Sequence, residues 1–147
     1  MMLLSRRSVL ALAAVVDIAI HARPQPVAAK LLAVRLGLPP RHLETLLQAL
    51  VRADILKGVR GPRGGYELAR ERRRISAAEV VRAVGTEESE EEKTENVFIE
   101  TVIHPVIASA GEAFLAALEG VTIDDICRQA GEKKAVHDEA AKPDFTI

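Results

Sequence analysis

Between Ile55 and Ala69 the chain reads ILKGVRGPRGGYELA, and this stretch restricts the fold more than any other. Proline removes a backbone donor and glycine favours positive φ, so four glycines around Pro62 cannot sit inside a helix. The flanking ILKGVR and YELA are short enough to be the two strands of a hairpin, with the glycines supplying its turn. Elsewhere the apolar spacing is helical. At 48% hydrophobic but only 3% aromatic, with many Ala, Leu and Val, the 147 residues suit aliphatic helices. That length fits one domain, or a small domain with an appended arm. The expected fold is mainly α with a small β-hairpin.

Residues 5–22 form the first helical pattern, closed by ARPQP, whose prolines stop a helix. VAAKLLAVRLGLPPRHLETLLQALVRAD then reads as two helices divided at GLPP. Gly37 suits a left-handed turn there, and Pro39 and Pro40 suit the cap and first position of the next helix. This is a helix-turn-helix outline, and a hairpin directly after it is a wing. In the second helix Leu43, Leu46, Leu47 and Leu50 recur at i, i+3, i+4 and i+7, an apolar stripe toward a core. Arg41, Glu44, Thr45, Gln48 and Arg52 fall on the opposite face, with His42 at its side. Ser76 and Glu79 have capping-box spacing and Gly85 can stop that helix.

These signals divide the chain into a winged helix-turn-helix domain (1–85), an acidic linker (86–96), a long apolar helix with a short terminal one (97–131) and a disordered tail (132–147). The linker TEESEEEKTE offers no apolar residue to bury. Pro105 is expected to start the long helix and Thr122 to cap the short one. Without a longer apolar run, no membrane span is expected.

The formal net charge of -1 conceals a division. Residues 1–85 carry 15 Lys/Arg against 6 Asp/Glu, and residues 86–147 carry 5 against 15. A basic half of net +9 suits a polyanion, and an acidic half of net -10 would be repelled by one. SRRSVLALAAVVDIAIHA resembles an export signal, but Asp17 and His21 interrupt its apolar run, so it reads as an amphipathic helix of the domain. The single cysteine, Cys127, excludes an internal disulfide and a multi-cysteine metal site, and makes a cytoplasmic setting the default. No nucleophile–base pair, phosphate loop or metal-ligand spacing marks an enzyme; GPRGGY lacks the GK[ST] ending of a phosphate loop.

The basic half therefore points to double-stranded DNA. Short polar groups near the start of the second helix, Arg41, His42, Glu44, Thr45 and Gln48, suit base edges in a major groove. Arg6, Arg7, Lys57, Arg60 and Arg70 suit phosphates, and Arg63 at the wing tip suits a narrow minor groove. Arg72, Arg73 and Arg74 continue this basic surface.

LGLPPRHLETLLQALVRADILKGVRGPRGGYELAR, followed by ISAAEVVRAV, closely resembles the winged-helix bacterial repressors of the Rrf-two family, the IscR, NsrR and CymR type, over roughly Leu4 to Gly85. The resemblance implies a sequence-specific transcriptional repressor acting as a homodimer on a pseudo-palindromic operator. It also implies that the long helix packs on its twin, which suits Val106, Ile107, Ala110, Phe114 and Leu118. Members that sense iron–sulfur or redox status carry three cysteines after the wing domain, and this chain has none at that place. No iron–sulfur cluster is expected, and Cys127 reads as a small buried hydrophobe. Regulation would then fall to a small molecule, to a protein partner or to neither. The alternative is a winged-helix protein-interaction module whose DNA binding the acidic arm weakens or masks.

Overall fold

The computed structural model describes residues 4–85 and 96–141. Helix α1 (Arg6–His21) begins on Ser5, whose hydroxyl accepts from the Ser8 amide at 3.2 Å. Its buried stripe is Ala11, Ala14, Val15 and Ile18, all fully enclosed, so α1 runs through the core. Asp17 lies off that stripe and accepts two N–H bonds from Arg35, at 2.8 and 2.7 Å. This fork holds α2 (Ala29–Leu36) against α1.

Gly37 ends α2 in the left-handed region, at φ 64° and ψ 35°, where a side chain would be strained. Pro40 is the first residue of α3 (Pro40–Arg52), a position whose N–H would lack a helical partner anyway. Leu43, Leu46, Leu47 and Leu50 are each at most 3% exposed. They pack in one cluster with α1, with Leu32 of α2, with Ile55 and Leu56, and with Ile75, Val80 and Val84 further along.

The wing is an antiparallel pair, β1 (Leu56–Val59) and β2 (Gly65–Leu68), in register from Leu56↔Leu68 to Val59↔Gly65. Val27 extends it by a bridge to Tyr66, with N···O distances of 2.9 and 2.8 Å. A Cβ on Gly65 would stand 2.2 Å from the Val27 carbonyl oxygen, so only glycine permits this approach. After a 3-10 turn (Arg72–Arg74), α4 (Ala77–Val84) starts with the expected capping box: the Glu79 amide donates to the Ser76 hydroxyl, and the Ser76 amide donates to the Glu79 carboxylate. The winged helix-turn-helix expected from the sequence is therefore the observed fold, with helices following it.

Two features depart from expectation. Helical backbone begins at Val97, capped by the Asn96 side chain, and passes through a π turn (Ile99–Ile103) into α5 (His104–Glu119). Pro105 therefore lies in the first turn of α5, as expected, but helical backbone runs unbroken into that turn from Val97. It has no N–H to give Thr101, and the wider turn, in which the His104 amide donates to the Ile99 carbonyl, accommodates that loss. Ile99–Glu119 is consequently 21 residues, long and apolar enough by length and composition to cross a membrane. This corrects the expectation that no such span exists.

The last helix, α6 (Ile123–Ala141), continues beyond Gly131 into the segment read as a tail. A mid-helix glycine costs only about 1 kcal/mol, and EKKAVHDEAA is rich in helix formers. Thr122 caps α6 reciprocally with Asp125, at 3.0 Å each way. The start of α6 is stitched to the winged-helix body: the Ile123 amide donates to the Ile75 carbonyl at 2.9 Å, and the Ala77 amide to the Val121 carbonyl at 2.8 Å. Ile123 is fully buried and belongs to the same core cluster as the α3 leucines. The acidic linker residues 86–95 and the final 142–147 lie outside the described residues.

If α6 completes the core, Ile123→Ala should lower the unfolding free energy by roughly 2–5 kcal/mol, the usual cost of a large-to-small change at such a site. Urea denaturation measures it, and a loss below about 1 kcal/mol would place α6 outside the cooperative unit.

Candidate nucleic-acid interface

Burying the leucine stripe turns the rest of α3 outward. Arg41, His42, Glu44, Thr45 and Gln48 are all exposed. The Thr45 hydroxyl donates to the Arg41 carbonyl at 3.3 Å, which leaves its lone pairs facing outward. Beside the start of α3 stands the start of α1. Arg6, Arg7, His42 and Thr45 line one open cleft of about 520 Å³, with Gly37, Leu38 and Pro39 as its rim. Arg7 is fixed there by donating Nε to the Val84 carbonyl at 3.2 Å.

The wing tip is equally open. Arg60 and Arg63 are exposed on either side of Gly61 and Pro62. Lys57 pairs across the strands with Glu67 at 3.0 Å, directly opposite it in the register. Exposed pairs of this kind contribute little, about 0–1 kcal/mol, so Lys57 can exchange its partner.

The arginines beyond the wing behave differently. Arg70 donates to the carbonyls of Asp54 and Arg74 and to Glu79 Oε1 at 3.0 Å, which uses three of its five N–H groups. Arg72 is exposed but already committed to a carboxylate. Its Nε lies 2.7 Å from Asp124 of α6, whose side chain is only 9% exposed. Arg128 meets the same carboxylate at 3.3 Å and Arg73 approaches it at 3.9 Å. A nearly buried carboxylate must be paired, and these guanidiniums pair it. Apart from Arg128 one turn along α6, nothing in the local sequence marks the Arg72–Asp124 pair or the Asp17–Arg35 fork, because those partners lie far apart along the chain; charge complementarity is the only signal, and it does not choose among many candidates.

The dimer-helix residues are unevenly placed. Val106, Ile107 and Ala110 are exposed, whereas Phe114 and Leu118 are half-buried where α5 packs on α4. Arg82 and Glu119 close that contact at 2.8 Å. Val97, Phe98, Val102 and Ile103 extend the open apolar surface.

Cys127 is 7% exposed on α6, and burial pushes its thiol pKa up, against the thiolate needed for ligation. It is the only cysteine. Among the described residues no three His, Cys, Asp or Glu side chains gather to hold a metal. The residues present do not fit an iron–sulfur cluster.

Comparison with known proteins agrees with this geometry. The family model described as "Rrf2: Iron-dependent Transcriptional regulator" matches residues 4–129. A putative HTH-type transcriptional regulator, ORF2 of Azotobacter vinelandii, is 40% identical over 74 residues, covering 50% of this chain and 45% of that protein. The match thus spans about half the length of that relative. The putative HTH-type transcriptional regulator slr0846 of Synechocystis is 31% identical over 143 residues, 94% of this chain and 96% of its own. The structure of T. potens IscR superposes with a TM-score of 0.68 at 31% identity, over 90% of each chain.

The Glu79 carboxyl is held below the usual carboxylate range, first by the Ser76 amide and also by Arg70. A group depressed on folding adds stability above its unfolded pKa, about 4.3 for Glu, and loses it as pH falls through the folded value. Glu79→Gln should therefore show a shallower loss of unfolding free energy below about pH 4.3 than the parent chain. Parallel curves in acid titration would remove Glu79 from the account.

Proposed function

The chain belongs to the Rrf2 family of DNA-binding transcriptional regulators, and from that premise we propose that it is a homodimeric repressor reading a pseudo-palindromic operator in the cytoplasm. The observation that carries this reading is the outward face of α3, polar from Arg41 to Gln48 and flanked by a wing with two exposed arginines. In this arrangement α3 enters the major groove, where Arg41 suits guanine, Gln48 adenine and Glu44 the cytosine amino group, with His42 and Thr45 filling the helix start. Arg6, Arg7, Lys57 and Arg60 neutralise phosphates, joined by the two N–H groups that Arg70 has left. Arg63 occupies a minor groove.

The second copy covers α5, through Val106, Ile107 and Ala110 with the outer edges of Phe114 and Leu118. The same length would fit a bilayer, but Glu112 lies near the middle of the span. An acidic residue there costs about 2.5–3.5 kcal/mol, and against a twin helix it can stay at the wet margin. Without a cluster, regulation falls to a small molecule, to a protein partner or to neither.

Three outcomes follow. Duplex affinity should fall steeply with salt, with a log–log slope of about -0.9 per phosphate neutralised; a flat response in a gel-shift series contradicts the reading. Arg63→Ala should weaken binding by about 1–3 kcal/mol and relax any A/T preference beneath the wing, and unchanged affinity would remove the wing contact. Val106→Glu combined with Ile107→Glu should yield monomers in light scattering, whereas persisting dimers would place the interface elsewhere.

A further inference from the structure

We propose that the cleft at the base of the wing is a binding site for a small polyanion, a compact molecule bearing two or more carboxylate or phosphate groups. The cleft measures about 920 Å³, within the size range of small-molecule sites. It lies between the C-terminal end of α1, the inner ends of the wing strands and the turn that follows. Five cations line it, Arg23, Lys57, Arg70, Arg72 and Arg73, against Glu67 and Glu71.

Two of those guanidiniums are already fixed in place. Arg70 is held on two carbonyls and Glu79, and Arg72 on Asp124. Each keeps further N–H groups free, and donors ordered in advance lose less entropy when they bind. The other two are held less: Arg23 is exposed and absent from the ion pairs of the described residues, and Arg73 is 82% exposed and only approaches Asp124, at 3.9 Å. Held donors beside freer ones suit a ligand with anionic groups at both ends, while Ala19, Ile20 and Leu68 give its carbon skeleton an apolar wall.

This cleft shares Lys57 and Arg70 with the proposed phosphate contacts, but Arg23, Arg72 and Arg73 lie outside them and its α1 wall is far from the start of that helix. Ile18 lies twelve residues along α1 from Arg6, about 18 Å at helical rise. The site also touches the joint between wing and α6, because an anion that draws on Arg72 competes with Asp124 for it.

Binding is read on the protein alone, so it stands or falls apart from DNA recognition. Calorimetric titration of the full chain with citrate and with pyrophosphate, against acetate at matched ionic strength, should give saturable binding of a multiply charged probe. The Arg23→Ala, Arg73→Ala double variant should weaken it at least about tenfold, as two charge-assisted contacts are lost. The Arg6→Ala, His42→Ala variant should leave it unchanged, and amide shifts in the parent chain should centre on Ala22 and Ala69. No saturable binding, or equal loss in both double variants, overturns the proposal. So does displacement of citrate by a DNA duplex together with a matching loss of duplex affinity in Arg23→Ala, Arg73→Ala, which would assign these cations to the DNA backbone.

Discussion

The burial of four leucines on one side of α3 is the constraint on which the rest depends. Leu43, Leu46, Leu47 and Leu50 are enclosed by α1, α2 and α4, and their helical spacing leaves no rotation of α3 that hides its polar face. Each enclosed leucine is worth about 1.5–3 kcal/mol of apolar transfer. Turning the helix to bury Arg41 and Gln48 would forfeit that and add uncompensated desolvation. The face that can read base edges is thus displayed by the energetics of the core.

Charge then does two different jobs in one basic half. Around α3 and the wing tip, Arg6, Arg60 and Arg63 are open to solvent. Behind the wing, Arg70 and Arg72 are braces that tie the post-wing turn to α4 and α6 through Glu79 and Asp124. The Asp17–Arg35 fork does the same between α1 and α2, and raises the arginine pKa through its hydrogen bond. Counting arginines overstates the free positive surface, because part of it holds the scaffold together.

Legibility in the sequence followed the range of the interaction. Gly37, Pro40, the Ser76–Glu79 box and the leucine stripe act within a turn or two of themselves, so residue type and spacing sufficed. The wing was visible because four glycines around a proline disfavour a helix, whereas what requires glycine at 65, the approach to Val27, is not local. Asp124 and Arg72 are 52 positions apart, and no local pattern distinguishes a bracing arginine from a free one. The docking of α6 was hidden for the same reason, since Ile123 carries its partners in the fold. Pro105 marks the first turn of α5, but not the helical backbone before it, which a single wide turn at Ile99–Ile103 joins on.

The central claim is that the outward face of α3 reads sequence while the other cations supply affinity. Selection of binding duplexes from a random pool, with the parent chain and with Arg41→Ala, Thr45→Ala, Gln48→Ala together, tests it most directly. The parent is expected to enrich one two-fold related motif, and the triple variant to retain duplexes at low salt while enriching no motif. Enrichment of the same motif by both chains would contradict it.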